Sequence, residues 1–451
     1  MVHRVQSEVG KGRMMARREI WRQRMSRRAL NMVMALGSAT LAGGFVRPGL
    51  QHAQAAARLR VLAPLPPDPA PPGVAPYALD ALAQWKEARN VRVTFDAHRW
   101  PDLHDTIAAA FANGDPAYDV LYTAGWIPEF ASSLAPLNDR ITGDLRADLP
   151  PSSFNATTWN GRVLGVPFTI SVLILFYNLE HFNDAGLDAP PRTWDELKAA
   201  AEALTRDGRY GWVQNYGAPE GSGGVASYFM AFLQQAGGTM YHEDGLPAFN
   251  SEEGIAALQC MMDLMLFTHP GSMDSRTINE ATAIFMSGQA SMMMNWPVMW
   301  QPAQDPATSR IVGSLRVATL PAGPAGTASI DSADAWSVAT SSLRPDLAWE
   351  FVAWMLSPEV QKQQALATPW LPIRRSVLAD PEVQQAAPHA AAVLEQASHP
   401  YTSFVTPGYE EITLALGAAI QDALRGHLTA QEALARAEVA VTEIIQKRHA
   451  S

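Results

Sequence analysis

Cysteine is almost missing from this chain. Cys260 is the sole one in 451 residues, which excludes an intrachain disulfide. It lies in the apolar helical pattern AALQCMMDLM, where a small buried core residue is expected rather than a reactive thiol. Catalytic signatures are missing as well: there is no Gly-x-Ser-x-Gly, no P-loop and no Gly-x-Gly-x-x-Gly. The 11 histidines are scattered, and none falls in a His-Glu-x-x-His pattern. His98 and His104 flank a helix start with no third ligand nearby, so neither a metal nor another cofactor is expected. The 44 Asp and Glu leave a glycosidase-type carboxylate pair open. Basic charge is also scarce beyond the N-terminus. Ten of the 34 Lys and Arg, but two of the 44 Asp and Glu, precede residue 56, leaving 24 basic against 42 acidic residues in the body. A body that acidic is repelled by phosphate backbones, and nucleic acid is not an expected partner.

What is present fits a globular α/β chain. It is 47% hydrophobic and 17% charged, with 33 Pro and 31 Gly to punctuate short elements. Two or three domains are expected at about 150 residues each. The first 55 residues read as a signal peptide: a basic region, the apolar stretch SRRALNMVMALGSATLAGGFV, and an Ala-rich site ending near Ala55. Asn31, Ser38 and Thr40 interrupt the apolar stretch and argue against a permanent membrane span. Ser26-Arg27-Arg28-Ala29-Leu30 is similar to a twin-arginine signal, with an ordinary secretory signal as the alternative. Cleavage there predicts a periplasmic protein.

After that site the pattern alternates. Strands are expected over 58–65, 91–95 and 119–122, separated by a Pro-rich loop, a helix over 77–89 and a helix opening at Trp100-Pro101-Asp102. Thr193 to Glu196 reads as a capping box, and Thr429 to Glu432 as a second. Asn250-Ser251 starts the Cys260 helix, and Ser357-Pro358 starts another. Ala290 to Asn295 (ASMMMN) reads as a buried strand, with its three Met in the core. The stretch from Trp159 to Leu197 holds a Gly turn, a short strand ending at Pro167 and an apolar run, Ile170 to Tyr177. It reads as the chain leaving one lobe and entering a second, with Pro167, Phe168, Thr169, Ile170 and Ser171 as the hinge.

Tryptophan is the feature that suggests a ligand. Five of the 13 fall in loops or at strand ends: Trp126, Trp296, Trp300, Trp336 and Trp370. Indole faces suit the apolar C–H faces of sugar rings. For any one of them core packing is the competing reading, and Trp194 is read as core beside its cap.

Several fragments in order resemble the family 1 extracellular solute-binding proteins of ABC importers, a family that includes maltose-binding protein. They are NGRVLGVPF, FYNLEHFNDAGLDAPPRTWDEL, AGGTMYHEDGLPAFNSEEGIAAL, EATAIFMSGQASMMMNWP, LPAGPAG and AWEFVAWMLSPEVQKQQALATPWLPIRRSVLADP. The resemblance implies two α/β lobes, each a mainly parallel sheet flanked by helices, with hinge crossings and a cleft that closes on a ligand. Lobe one would be 56–166 with 320–365 returning to it. Lobe two would be 167–319 with the C-terminal helices of 366–451. It implies a monomer that binds a carbohydrate without chemistry and passes it to membrane permease subunits. Asn295 and Trp296 match the loop after the buried strand, and Asp331 to Trp336 match the loop returning to the first lobe. Arg374 matches an arginine that bonds sugar oxygens in some members, with an ion pair across the lobes as an equal reading. The chain departs from the family pattern just after the third strand, where YTAGW lacks an acid, and the Pro-rich loop offers only Asp68. A glycerol phosphate or phosphodiester ligand, held by Arg374, Arg375, Ser222 or the 221–224 amides, is the first alternative. A secreted carbohydrate-active enzyme is the second.

Overall fold

The structure is a computed structural model. It describes residues 56–64, 79–98, 100–113, 117–217, 224–331, 334–368, 370–399, 401–402 and 406–449. The expected signal segment, Asp68 with its Pro-rich loop, and Ser222 lie outside the described residues.

Eleven strands position the site. In chain order they are β1 (Ala57–Pro64), β2 (Val91–His98), β3 (Val120–Thr123), β4 (Val166–Pro167), β5 (Ile174–Asn178), β6 (Tyr210–Trp212), β7 (Ala290–Asn295), β8 (Leu315–Ala318), β9 (Ser329–Ile330), β10 (Ala335–Val338) and β11 (Tyr401–Thr402). One sheet has the order β2-β1-β3-β10-β4, and a second has the order β8-β5-β7-β6. Helices flank both, which is the expected two-lobe α/β arrangement. The strand directions are more mixed than a mainly parallel pattern. β1, β2 and β3 are parallel, but β10 runs antiparallel to β3 and β4. In the second sheet β5 is antiparallel to both β7 and β8. The reason is the crossing itself. A strand that arrives from the other lobe enters its sheet at the rim where the resident strands end, so it must run against them.

Local sequence explains the main elements. Thr193, Ser251 and Thr277 each accept a hydrogen bond from a backbone N–H of the first helical turn that follows. Thr429 and Glu432 form the full reciprocal box, with Thr429 N donating to the Glu432 carboxylate at 2.9 Å. At 193–196 the box is shifted, since the Glu196 carboxylate takes the N–H of Arg192. Ser357 stands at its N-cap position but makes no side-chain cap bond. The three Met of β7 are fully buried, as expected of a central strand. Trp194 is half-buried beside its cap, its indole N–H donating to Gln235 Oε1 at 2.7 Å.

Two positions make the packing testable. Gly211 in β6 lies so close to the helix Trp194–Leu204 that a Cβ there would sit 2.1 Å from the Ala201 carbonyl oxygen. Gly211→Ala therefore forces helix and strand apart, and a loss of about 1–3 kcal/mol is expected in urea unfolding. Cys260 is buried, and burial pushes its thiol up to about 12. The native protein should leave Ellman's reagent uncoloured at pH 8 and release one thiol equivalent only after unfolding.

Candidate ligand-binding cleft

The strand ends define two facing rims. β1, β2, β3 and β4 all end on one edge of the first sheet, and β10 begins there. That rim carries Thr123 to Trp126, Phe168 and Asp334. β5 begins, and β6, β7 and β8 end, on one edge of the second sheet. That rim carries Val213 to Tyr216 and Asn295 to Trp296. Residues 168–173 join β4 to β5, and six extended residues reach at most about 20 Å. The rims are therefore held within a small molecule's span of each other near that crossing.

The crossing is not a bare linker. Thr169 pairs with Pro372, and Val172 with Asp331. Ile170 N donates to the Leu371 carbonyl at 3.3 Å, and Thr169 Oγ1 donates to the same oxygen at 2.7 Å. On the other side Leu173 N donates to the Ile330 carbonyl, and Ser329 Oγ donates to the Leu173 carbonyl at 2.9 Å. Gln361, fully buried, clamps two segments: its Nε2 donates to the Phe168 carbonyl at 3.0 Å and its Oε1 accepts from Ile373 N at 2.8 Å. Pro167 closes β4, and Ser171 is half-buried between the paired positions.

The structure separates the seven sequence-derived ligand residues into groups. Trp336 and Trp370 come together around Phe168, with ring centroids 5.4 and 5.6 Å from it, and Tyr122 completes the cluster. Trp336 is buried with its indole N–H unpartnered, while Trp370 is half-buried. Asn295 and Trp296 sit together on the second rim. Asn295 Oδ1 accepts from Trp296 N at 2.7 Å and its Nδ2 donates to Thr282 Oγ1 at 2.9 Å, so the amide orients the loop from inside. Asp331 lies on the returning segment opposite Val172. Trp126 stands apart on the first rim, its N–H donating to Glu410 Oε1 at 3.0 Å. Trp300 stacks on the buried His389 ring at 5.0 Å, and burial takes that imidazole down to about 4.

Arg374 takes the ion-pair alternative. Its Nη1 donates to Asp148 Oδ2 at 3.0 Å and its Nε donates to the Leu356 carbonyl. Asp148 also accepts from Ser376 N at 2.8 Å and Ser376 Oγ at 2.5 Å. Asp148 belongs to the helix Gly143–Asp148, which precedes β4 in the chain, so the pair ties that helix to the segment after Trp370.

Three groups escaped the sequence reading. Asp334 brings to the first rim the acid that is missing after β3, and Tyr122 Oη donates to it. It arrives on the antiparallel neighbour, 212 residues away, where linear spacing gives no signal. Gln214 extends the second sheet past β6: its amide donates to the Met294 carbonyl at 2.7 Å and accepts from Met294 N. Tyr228 Oη donates to Asn215 beside it. Among the described residues no group of three or more His, Cys, Asp or Glu is placed to hold a metal. Nor is any helix there long and apolar enough to cross a membrane.

The Arg374 pair gives a stability test. Burial tends to raise the Asp148 carboxyl, but the Ser376 hydrogen bonds and the Arg374 charge prevail and hold it below the usual carboxylate range. A depressed folded-state value means that stabilisation is present above the unfolded value near 4 and is lost as pH falls through the folded one. Arg374→Ala should cost about 3 kcal/mol at pH 7, since it strands a mostly buried carboxylate. The difference from the parent should shrink in unfolding curves taken below pH 4.

Comparison with known proteins agrees with this architecture. The maltose-bound MalE3 of T. maritima is 26% identical and superposes with a TM-score of 0.74, covering 86% of this chain and all of that one. The maltotriose-binding protein of Pyrococcus abyssi is 27% identical over 65% of this chain and 62% of its own length. A probable amino-acid ABC transporter periplasmic-binding protein of Sinorhizobium fredii is 26% identical over 70% of this chain and 75% of its own. Residues 70–362 match the model of the bacterial extracellular solute-binding proteins. With two sheets, paired crossings and that match over most of its length, the chain belongs to family 1 of the bacterial extracellular solute-binding proteins.

Proposed function

We propose that this protein is the periplasmic substrate-binding component of an ABC importer, exported by its N-terminal signal. It captures a carbohydrate between the lobes as a monomer and delivers it to the membrane permease. The observation that carries the reading is the pair of facing rims on a short, hydrogen-bonded crossing, in a fold that superposes over the full length of a maltose-bound relative. A ligand that touches both rims is bound fully only when the lobes are together, so binding shifts the population toward closure. The permease then reads the closed form, and no bond is made or broken.

Trp296 on the second rim, Asp331 on the returning segment and Trp370 beside Phe168 are the favoured ligand contacts of the sequence-derived set. Indole faces would take the sugar ring, and the carboxylate would accept from hydroxyls. Trp336 supports the cluster from the sheet, and Asn295 orients Trp296 from below. Lobe one takes in 56–166 and the returning 320–365, and lobe two takes in 167–319 and the C-terminal helices.

A thermal-shift panel tests this. At a hundred times its dissociation constant, a ligand stabilises by about 2.7 kcal/mol. Mono-, di- or oligosaccharides or polyols should raise the melting temperature, and Trp296→Ala should weaken the best of them at least tenfold. A shift with amino acids or glycerol phosphates and with no sugar or polyol would overturn the carbohydrate reading. Product formed from a sugar substrate would overturn binding without chemistry.

A further inference from the structure

Trp126 and Glu410 belong to different lobes. Trp126 lies in the turns that follow β3, where its carbonyl accepts from Glu129 N and Phe130 N. Its ring meets His104 edge-on at 5.6 Å, and Phe130 packs tilted against His104 with Phe111 behind it. Glu410 opens the helix Tyr409–Leu424, which packs on the helices Val225–Ala236, Glu252–Leu264 and Ala430–His449 of the second lobe. Gln421 Nε2 anchors that helix by donating to the Tyr216 carbonyl on the second rim at 2.7 Å. The Trp126 indole N–H nevertheless donates to Glu410 Oε1 at 3.0 Å, and the ring is only 1% exposed. Each partner moves with its own lobe. The bond must therefore break, and the indole must meet water, when the lobes part.

We propose that Trp126 and Glu410 form a latch between the lobes that favours the closed form. The latch joins the turns after β3 on the first rim to the start of a second-lobe helix, so it acts where rotation about the hinge separates the lobes. Charge reinforces it. His104 faces Glu129 at 3.3 Å and Asp105 at 3.2 Å, and Arg448 of the last helix sits 3.4 Å from Glu411. The Glu129 carboxylate lifts His104 above the usual histidine range, with burial opposing, and Glu410 adds to that lift from the other lobe. Glu129 is in turn held low by His104, with Arg448 contributing across the same seam. A buried indole donating to a carboxylate combines apolar burial with a charge-assisted bond, both absent from the open form.

The latch rests on the reading of the protein as a closing two-lobe binder but not on which ligand it takes, so it is tested without ligand. Nitroxide labels go on cysteines introduced at the exposed Asp144 and Glu202, one per lobe, while native Cys260 is shielded by burial. Electron–electron distance measurements on the labelled parent should contain a short-distance population. Trp126→Phe keeps an aromatic ring and removes the donor, and Glu410→Ala removes the acceptor. Each should lower the closed-to-open ratio about tenfold, as loss of a hydrogen bond to a charged group implies. The double variant should fall no further than the worse single variant. Coincident distance distributions in the parent and both variants would overturn the latch. So would a double variant that loses the sum of two independent effects. A wrong ligand class leaves all of these outcomes unchanged.

Discussion

The backbone pairing of residues 168–173 with Ile330–Asp331 on one side and Leu371–Pro372 on the other is what makes two lobes into one device. A single six-residue link would leave the lobes free to twist in any direction. Pairing that link on both flanks keeps its polar groups satisfied and ties it to two further segments. Gln361 tightens this constraint, because one buried amide holds the Phe168 carbonyl and the Ile373 N–H together. The same pairing brings the strand-end rims face to face, and the recognition chemistry of the cleft follows from that placement.

What stands on those rims is decided by topology more than by neighbours in sequence. Because β10 enters the first sheet from the cleft side, its leading residue, Asp334, sits beside the end of β3 and meets Tyr122. The acid that YTAGW lacks is thus supplied by another strand. On the second rim the sheet ends at Trp212, yet Gln214 satisfies both polar groups of Met294 and carries order one step further toward the cleft. Strand ends leave N–H and C=O groups without a ladder partner. Filling some of them with side chains fixes which remain to meet a ligand.

The sequence showed its local features clearly. The caps at Thr193, Ser251 and Thr429 and the buried Met strand follow from spacing and composition, and all form as those rules require. The break between β4 and β5 was legible because Pro167 stops a strand and an apolar run restarts after it. Partner choice was not legible. Trp126 read as a loop aromatic at a strand end, but its donor is taken by a residue 284 positions later. Arg374 allowed two readings, and only the fold brings Asp148 to it, 226 residues upstream. Strand direction was hidden for a related reason: a strand's own residues do not record the side from which the chain arrives.

A donor already satisfied inside the protein gains little from a ligand, since binding would exchange one hydrogen bond for another. Trp126 and Arg374, bonded to Glu410 and Asp148, are better placed to hold the protein's shape than to read hydroxyls. An indole face has no hydrogen bond of its own to exchange. An apolar C–H face laid on an indole gains from burial without breaking an existing bond. The protein's polar contacts would then serve mainly to set the closing geometry, and its aromatic faces, Trp296 buried and Trp370 half-buried, to supply the affinity. Closure decides how much of that affinity is expressed, because the two rims contribute together only when the lobes meet.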